Sequence, residues 1–437
     1  LSTGISIFAP SLILSSLLGW NIYWTNLFMG GLLIIYTLSG GARAVAYTQQ
    51  LQFAIILLSM FLAGYLLVHL MPEQVGFVDA LDISGKLGKL NVITDGMTAK
   101  GFNWGDNYNI WSGIIGGFFL ALSYFGTDQS QVGRFLTGKS VRESRLGLLM
   151  NGLVKIPMQF LILLVGALLF SYYSFERAPL IFNQVQEERI QRSVYRDSFQ
   201  LAQVRYDSFQ SIKRRVATEY VQAGGQGSVQ ASLLIPKLQQ AQTEADAVRK
   251  QVKGWLNDRV PGGDGNDTNY IFIRFVLDHL PAGLVGLLIA MIFLASWGSI
   301  AAAINSLAAC SMVDLHNRFA KHPAEGEQAY LLSKWYTLGW GIFCIVVAMF
   351  TYNIGNSLIE AVNILGSLFY GVILGVFLVA LFIPVIRNAT AVFWGLIIGE
   401  LIVLGVFFSG YFFPDRFKIG FLWLNPIGAG AVVVFSL

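Results

Sequence analysis

Apolar stretches alternate along the chain with short polar turns, and most of the stretches reach the roughly 20 residues that a helix needs to cross a bilayer. The pattern predicts spans over Leu1–Gly19, Asn21–Ser39, a third ending at His69, Tyr108–Gly126, Leu146–Tyr172 and Leu284–Asp314. Further spans follow at Tyr336–Tyr352, Leu358–Pro384 and Ala391–Phe413, and another begins at Phe421. Gly40 and Gly41 permit a tight reversal before the third span. Lys155 and Pro157 interrupt an otherwise apolar fifth span.

One segment breaks the pattern. Phe175–Asp267 holds 24 of the 54 charged residues, and Val194, Leu201, Val204, Ile212 and Val216 recur there at near-helical spacing. Gly224, Gly225 and Gly227 stop that run, and a second helical stretch follows over Ala231–Trp255. The segment reads as a water-facing helical hairpin inserted between spans. The chain then divides into 1–172, helical and membrane-spanning; 173–275, the insertion; and 276–437, helical and membrane-spanning again.

Composition agrees with the periodicity. With 55% hydrophobic and 12% charged residues, the 437-residue chain is an all-α polytopic membrane protein, its main partner the lipid bilayer. A net charge of +4 calls for no nucleic-acid partner, because cytoplasmic loops of such proteins are rich in Lys and Arg. Arg134, Lys139, Arg142, Arg145, Arg318, Lys321, Lys334 and Arg387 fall on one side by counting crossings. That side is expected to be cytoplasmic, in a cell (inner) membrane, with the insertion outside. Cys310 and Cys344 lie in apolar helices, and the four histidines are scattered without ligand spacing, so these residues give no expectation of a metal site. No nucleophile elbow, P-loop or dinucleotide fingerprint is present, and an enzyme is not expected.

The helix over Leu284–Asp314 turns small and faintly polar in its middle, at Ser296, Gly298, Ser299, Asn305 and Ser306. In lipid such residues let backbones approach or offer oxygens to a passing solute. Lys155 is a second anomaly, since an ammonium inside an apolar span usually faces the bundle interior with a partner. It can also snorkel to the headgroups.

Three motifs together resemble the solute:sodium symporter family: GGARAVAYTQQLQ from Gly40 to Gln52, YFGTDQ followed by Arg134, and Asn305-Ser306 followed by Met312-Val313-Asp314. The resemblance covers the chain apart from the insertion. It implies a LeuT-like fold of two inverted five-helix repeats, with sites near the midplane beside broken helices. It also implies that the chain starts at the third core helix, the first core helices lying outside this sequence.

Site residues follow from the resemblance. The sodium positions fall on Ala295, Gly298 and Ser299, where one of two expected hydroxyls is absent. A second sodium site of some members is expected to be lost, since its positions hold Gln49, Ala301 and Ala302. The same small residues equally serve close helix packing. Lys155 matches a substrate-contacting lysine of sugar transporters, Tyr124 an aromatic that closes the site from inside, and Asn363 a sugar-binding glutamine, while an expected asparagine is Ala121.

The resemblance thus implies secondary active, sodium-coupled symport of a small organic solute, a sugar or polyol above others, by alternating access. Other functions stay open: a solute-sensing membrane domain of a receptor such as a histidine kinase, a carrier with lost sodium coupling, and docking of an envelope partner through the insertion.

Overall fold

The computed structural model describes the chain except residues 40, 41, 92, 100, 137, 139, 321–325, 351–357, 387 and 414–417, and backbone alone at 16, 42–50, 134, 358 and 411. The Gly40–Gly41 reversal, the side chains of Gln49 and Arg134, and Lys139, Lys321, His322 and Arg387 therefore lie outside the described residues.

The first spans are α1 (Ser2–Leu18), α2 (Ile22–Ser39) and α3 (Ala42–His69). Gly19 ends α1 at φ +67°, a left-handed geometry that glycine adopts without Cβ strain. A connection follows with α4 (Phe77–Lys86) and a two-residue ribbon, β1 (Met97–Thr98) antiparallel to β2 (Gly101–Phe102). A π-helical turn at Ser112–Gly116 leads into α5 (Gly117–Gly126), and the short α6 (Gln129–Leu136) follows.

Helix α7 (Val141–Phe175) runs unbroken through Lys155 and Pro157, which interrupt its apolar run but not the helix itself. Its start is fixed by Ser140, whose hydroxyl accepts the Glu143 N–H at 3.2 Å. The insertion comprises α8 (Gln184–Gln191), α9 (Arg196–Gln222), the single turn α10 (Val229–Ser232) and α11 (Ile235–Arg259). Gly224, Gly225 and Gly227 all have positive φ and reverse the chain between α9 and α11, which pack side by side. After α12 (Ile271–His279), the long α13 (Ala282–Cys310) ends in a π-helical turn at Ser311–His316 and the short α14 (Asn317–Phe319). The last spans are α15 (Gly326–Phe350), α16 (Leu358–Phe382), α17 (Ala389–Phe412) and α18 (Leu424–Ser436).

Among the described residues seven helices are long and apolar enough to cross a membrane, and α1, the Ser112–Gly126 helix and the last helix are shorter. The protein is an integral membrane protein. Its spans pack through small and hydrogen-bonded groups: Asn425 of α18 donates to the buried Ser367 hydroxyl of α16 at 3.0 Å, and Gly371 and Gly375 of α16 lie against the α18 backbone.

The insertion caps one end of the bundle. Its core of Phe199, Tyr206, Leu238, Val248 and Leu256 is continuous with Ile83 of α4 and Leu168 and Phe175 of α7. Polar links tie it to the same connection: the Tyr220 hydroxyl donates to Asp82 at 2.6 Å, and the Gln239 amide donates to the Lys86 carbonyl at 2.9 Å. The apolar positions that mark the helical period are not the packed face, Val216 excepted. Val194, Leu201 and Val204 are exposed, and α9 packs instead through Phe199, Ala202, Tyr206, Gln210, Lys213, Val216, Ala217 and Tyr220.

Candidate functional site

Helix α13 is the wall from which the site is built. At 3.6 residues per turn, Ile300, Ala301, Ile304 and Ala308 fall on one buried arc, and the first three pack in one cluster with Ile7 of α1, Ile34 of α2 and Cys344, Ile345 and Ala348 of α15. The other arc carries Ala295, Ser299, Ala302 and Ser306 as a stripe. Ser299 on this stripe is exposed, while Gly298 lies at its edge and is buried. The three cation candidates are thus neighbours on one turn, with the hydroxyl on the open side. Ala301 belongs to the apolar contact with α1, α2 and α15, and the Ala302 carbonyl accepts the Ser306 hydroxyl at 2.9 Å.

The stripe runs down into a cavity of about 500 Å³. Ser306 and Cys310 of α13, Thr127, Asp128 and Ser130 beyond α5, and Gly366 and Tyr370 of α16 line it, with Ser2 and Thr3 at its edge. A network holds its polar wall. The Tyr370 hydroxyl donates to Asp128 at 3.1 Å, and Asp128 also accepts from the Ser130 N–H and hydroxyl at 2.8 and 2.6 Å. The buried Ser123 hydroxyl donates to the Tyr370 carbonyl at 2.7 Å, which locks α5 onto α16.

Two of the three solute candidates meet above this network. Lys155 of α7 places its Nζ 5.8 Å from the centre of the Tyr124 ring and 5.4 Å from that of Phe125, within cation–π range. Tyr124 in turn lies 6.2 Å from the Tyr370 ring. Lys155 itself is exposed. Asn363 is half-buried on α16, seven residues and two helical turns before Tyr370 on the same face.

The sequence reading overlooked Asp128 and Tyr370 as a pair. Asp128 stood inside a quoted motif and was visible as a carboxylate at a span end. Nothing in Tyr370 distinguishes it from the many aromatics of a membrane chain; only the fold brings it to Asp128 across 242 positions.

Comparison with known proteins now adds the lineage. The profile of the sodium:solute symporter family matches residues 2–190 and 251–399. The chain belongs to that family. The stretch between the two matched segments, 191–250, takes in α9, α10 and most of α11. Similar curated proteins include a sodium-dependent multivitamin transporter of Oryctolagus cuniculus, 26% identical over 92% of this chain and 49% of its own length. The sodium/glucose cotransporter 2 of Rattus norvegicus is 23% identical over 94% of this chain and 52% of its own. The sodium/sialic acid symporter NanT of Aliivibrio fischeri is 23% identical over 93% and 61%. The chain therefore spans about half to three fifths of the length of these relatives. Among solved structures, the substrate-bound, outward-open state of a Na+-coupled sialic acid symporter superposes with a TM-score of 0.62, at 18% identity, covering 99% of this chain and 70% of that one. The fold is LeuT-like, as the three motifs implied.

Proposed function

We propose that the chain forms the transport core of a secondary active symporter that carries a small hydrophilic solute, a sugar or related polyol, together with Na+ by alternating access. The convergence of Lys155, Tyr124, Tyr370 and Asp128 beside the open stripe of α13 is the observation that carries the reading.

In this reading Na+ is held by the Ala295 carbonyl and the Ser299 hydroxyl, with Gly298 leaving room beside them. The solute sits between the Tyr124 ring, the Lys155 ammonium and the Asn363 amide. An ammonium has three donors and an amide both donors and an acceptor, a set that suits vicinal hydroxyls, and the ring offers a face for a sugar's C–H groups. Alanine at 301 and 302 leaves no hydroxyl for a second sodium, so one Na+ moves per solute. The Asp128–Tyr370 contact closes the end opposite the insertion, which the basic loops mark as cytoplasmic. A ligand shifts a conformational equilibrium only by its differential affinity for the two states, and a site with one hydroxyl gives weak coupling.

The test is uptake into proteoliposomes. An inward Na+ gradient is expected to drive accumulation of at least one labelled sugar from a panel of galactose, glucose, mannose and myo-inositol, with Lys155→Gln lowering the rate about 10-fold, the scale of one charged hydrogen bond. Uptake indifferent to replacing Na+ by choline, or none for any sugar, would contradict the reading and leave a sensor as the alternative.

A further inference from the structure

A recess of about 780 Å³ lies at the capped end of the bundle, between the end of α1, helix α8 and the turn after α11. Leu17, Leu18 and Gly19 line it from the span, and Glu188, Arg189 and Arg192 line it from the insertion. The junction of α1 and α2 sets its level. Leu18, Trp20, Tyr23 and Trp24 are all exposed there, and exposed Trp and Tyr rings at a span end mark the boundary between hydrocarbon and headgroups. The recess therefore sits at headgroup depth.

Its wall offers a free cation and free acceptors, all open to a ligand. Arg189 makes no ion pair or hydrogen bond among the described residues, and its half-buried side chain keeps its nitrogens accessible. A glycine makes room for it: Arg189 Nη1 lies 2.7 Å from where a Cβ on Gly262 would stand, and Gly262 has φ +67°. Glu188 pairs through Oε2 alone, with Arg192 at 3.0 Å, on an exposed surface. At the end of α1 the carbonyls of Leu17 and Leu18 accept no hydrogen bond among the described residues. Last-turn carbonyls have no partner within their own helix, and they give that end a partial negative charge.

We infer that this recess binds the headgroup of phosphatidylethanolamine, with its phosphate on the Arg189 guanidinium and its ammonium on the α1 carbonyls and the second oxygen of Glu188. A guanidinium matches a phosphate in shape as well as charge. A primary ammonium has three N–H donors for carbonyls and a carboxylate. Phosphatidylcholine carries the same charges without an N–H, and phosphatidylglycerol has the phosphate without the cation, so the wall distinguishes all three. The acyl chains continue past the exposed Leu18 into the hydrocarbon. The site shares no residue with the cavity in the bundle and stands whether or not the transport reading does.

The experiment titrates the purified full chain in detergent with phosphatidylethanolamine, phosphatidylcholine and phosphatidylglycerol of equal acyl length. Bound lipid is counted by native mass spectrometry, with soluble phosphoethanolamine as a competitor. Saturable binding of phosphatidylethanolamine is expected, with the other two lipids weaker by about 5-fold or more and no displacement by equimolar phosphoethanolamine, which has no chains. Arg189→Gln is expected to weaken that binding about 10-fold and Arg189→Lys less, while Leu201→Ser leaves it unchanged. Because Arg189 has no partner in the protein, Arg189→Gln is expected to melt like the wild type in lipid-free detergent, which separates lost binding from misfolding. Four results would each overturn the proposal: no saturable binding of phosphatidylethanolamine, equal or tighter binding of either other lipid, displacement by equimolar phosphoethanolamine, or undiminished binding in Arg189→Gln. Failure of sugar uptake with this binding intact would count against the transport reading alone.

Discussion

Helices α7 and α9 are both long, and they turn opposite chemistry outward. Along the span of α7, Ile156, Phe160 and Leu163 are exposed. Along α9, Tyr206, Lys213 and Tyr220 are buried, while Arg205, Arg214 and Arg215 face outward. The ion pairs among the described residues all fall between Asp82 and Asp278, at the insertion end. Lipid explains the first pattern: an apolar side chain facing hydrocarbon gains nothing by burial, so the spans are joined by small residues and satisfied hydroxyls and amides. Water explains the second, because there aromatic rings and even an ammonium stem are drawn inside. The two regions thus share a chain but have separate rules of stability, and substitutions are expected to respect that boundary.

The largest effect of removing a charge is expected at Asp267. It is 1% exposed, with Arg249 at 2.7 Å, Lys253 at 2.6 Å and the Phe182 N–H donating at 2.9 Å. Asp267→Ala strands two cations and a backbone donor, at a cost of about 3–5 kcal/mol. Thermal melting followed by far-UV circular dichroism is expected to lose its insertion transition first. Burial alone would raise the Asp267 pKa, but the two cations and the hydrogen bonds outweigh it and hold the value below normal. The stability it supplies is therefore full above the ordinary aspartate range and is lost as pH falls through the lowered value.

A smaller effect with the opposite sign is expected at Lys213. Burial, with Arg249 and Lys89 adding repulsion against the attraction of Asp246, brings its pKa down from 10.5 to about 8. Between those values the unfolded chain binds the extra proton, so the insertion gains stability as pH rises from about 8 towards 10.5. Lys213→Met should stabilise it by ~1–3 kcal/mol at neutral pH and flatten that dependence. Urea titrations at pH 7 and 9.5 check both. The smallest change is expected at Leu201→Ser, on the open face of α9, within about 0.5 kcal/mol. Phe199→Ala on the packed face costs ~3–5 kcal/mol. Equal losses at the two positions would restore the helix face that spacing alone suggested.

The spans were legible because lipid demands continuous apolar runs; α2 and α17 match their expected limits within two residues or fewer. Helix α15 begins ten residues before the expected Tyr336, at Gly326, since a helix need not stop where the hydrocarbon does. The hairpin's existence was legible from charge and its three glycines, but its packed face was not: Tyr206, Gln210 and Lys213 look polar in sequence, while the exposed Leu201 and Val204 look like core. In the site, Tyr124 and Lys155 could be named one by one. Their meeting with Tyr370 and Asp128 depends on how α5, α7 and α16 pack, which no local pattern encodes.

The most direct test of a sodium site on the open stripe of α13 is the melting temperature of the purified full chain in NaCl against equimolar choline chloride, for wild type and Ser299→Ala. A ligand bound only by the folded state raises the melting temperature with its concentration. A sodium-specific rise in the wild type that disappears in Ser299→Ala is the predicted result. A wild type that melts identically in the two salts at every concentration, or a rise undiminished in Ser299→Ala, would contradict the assignment.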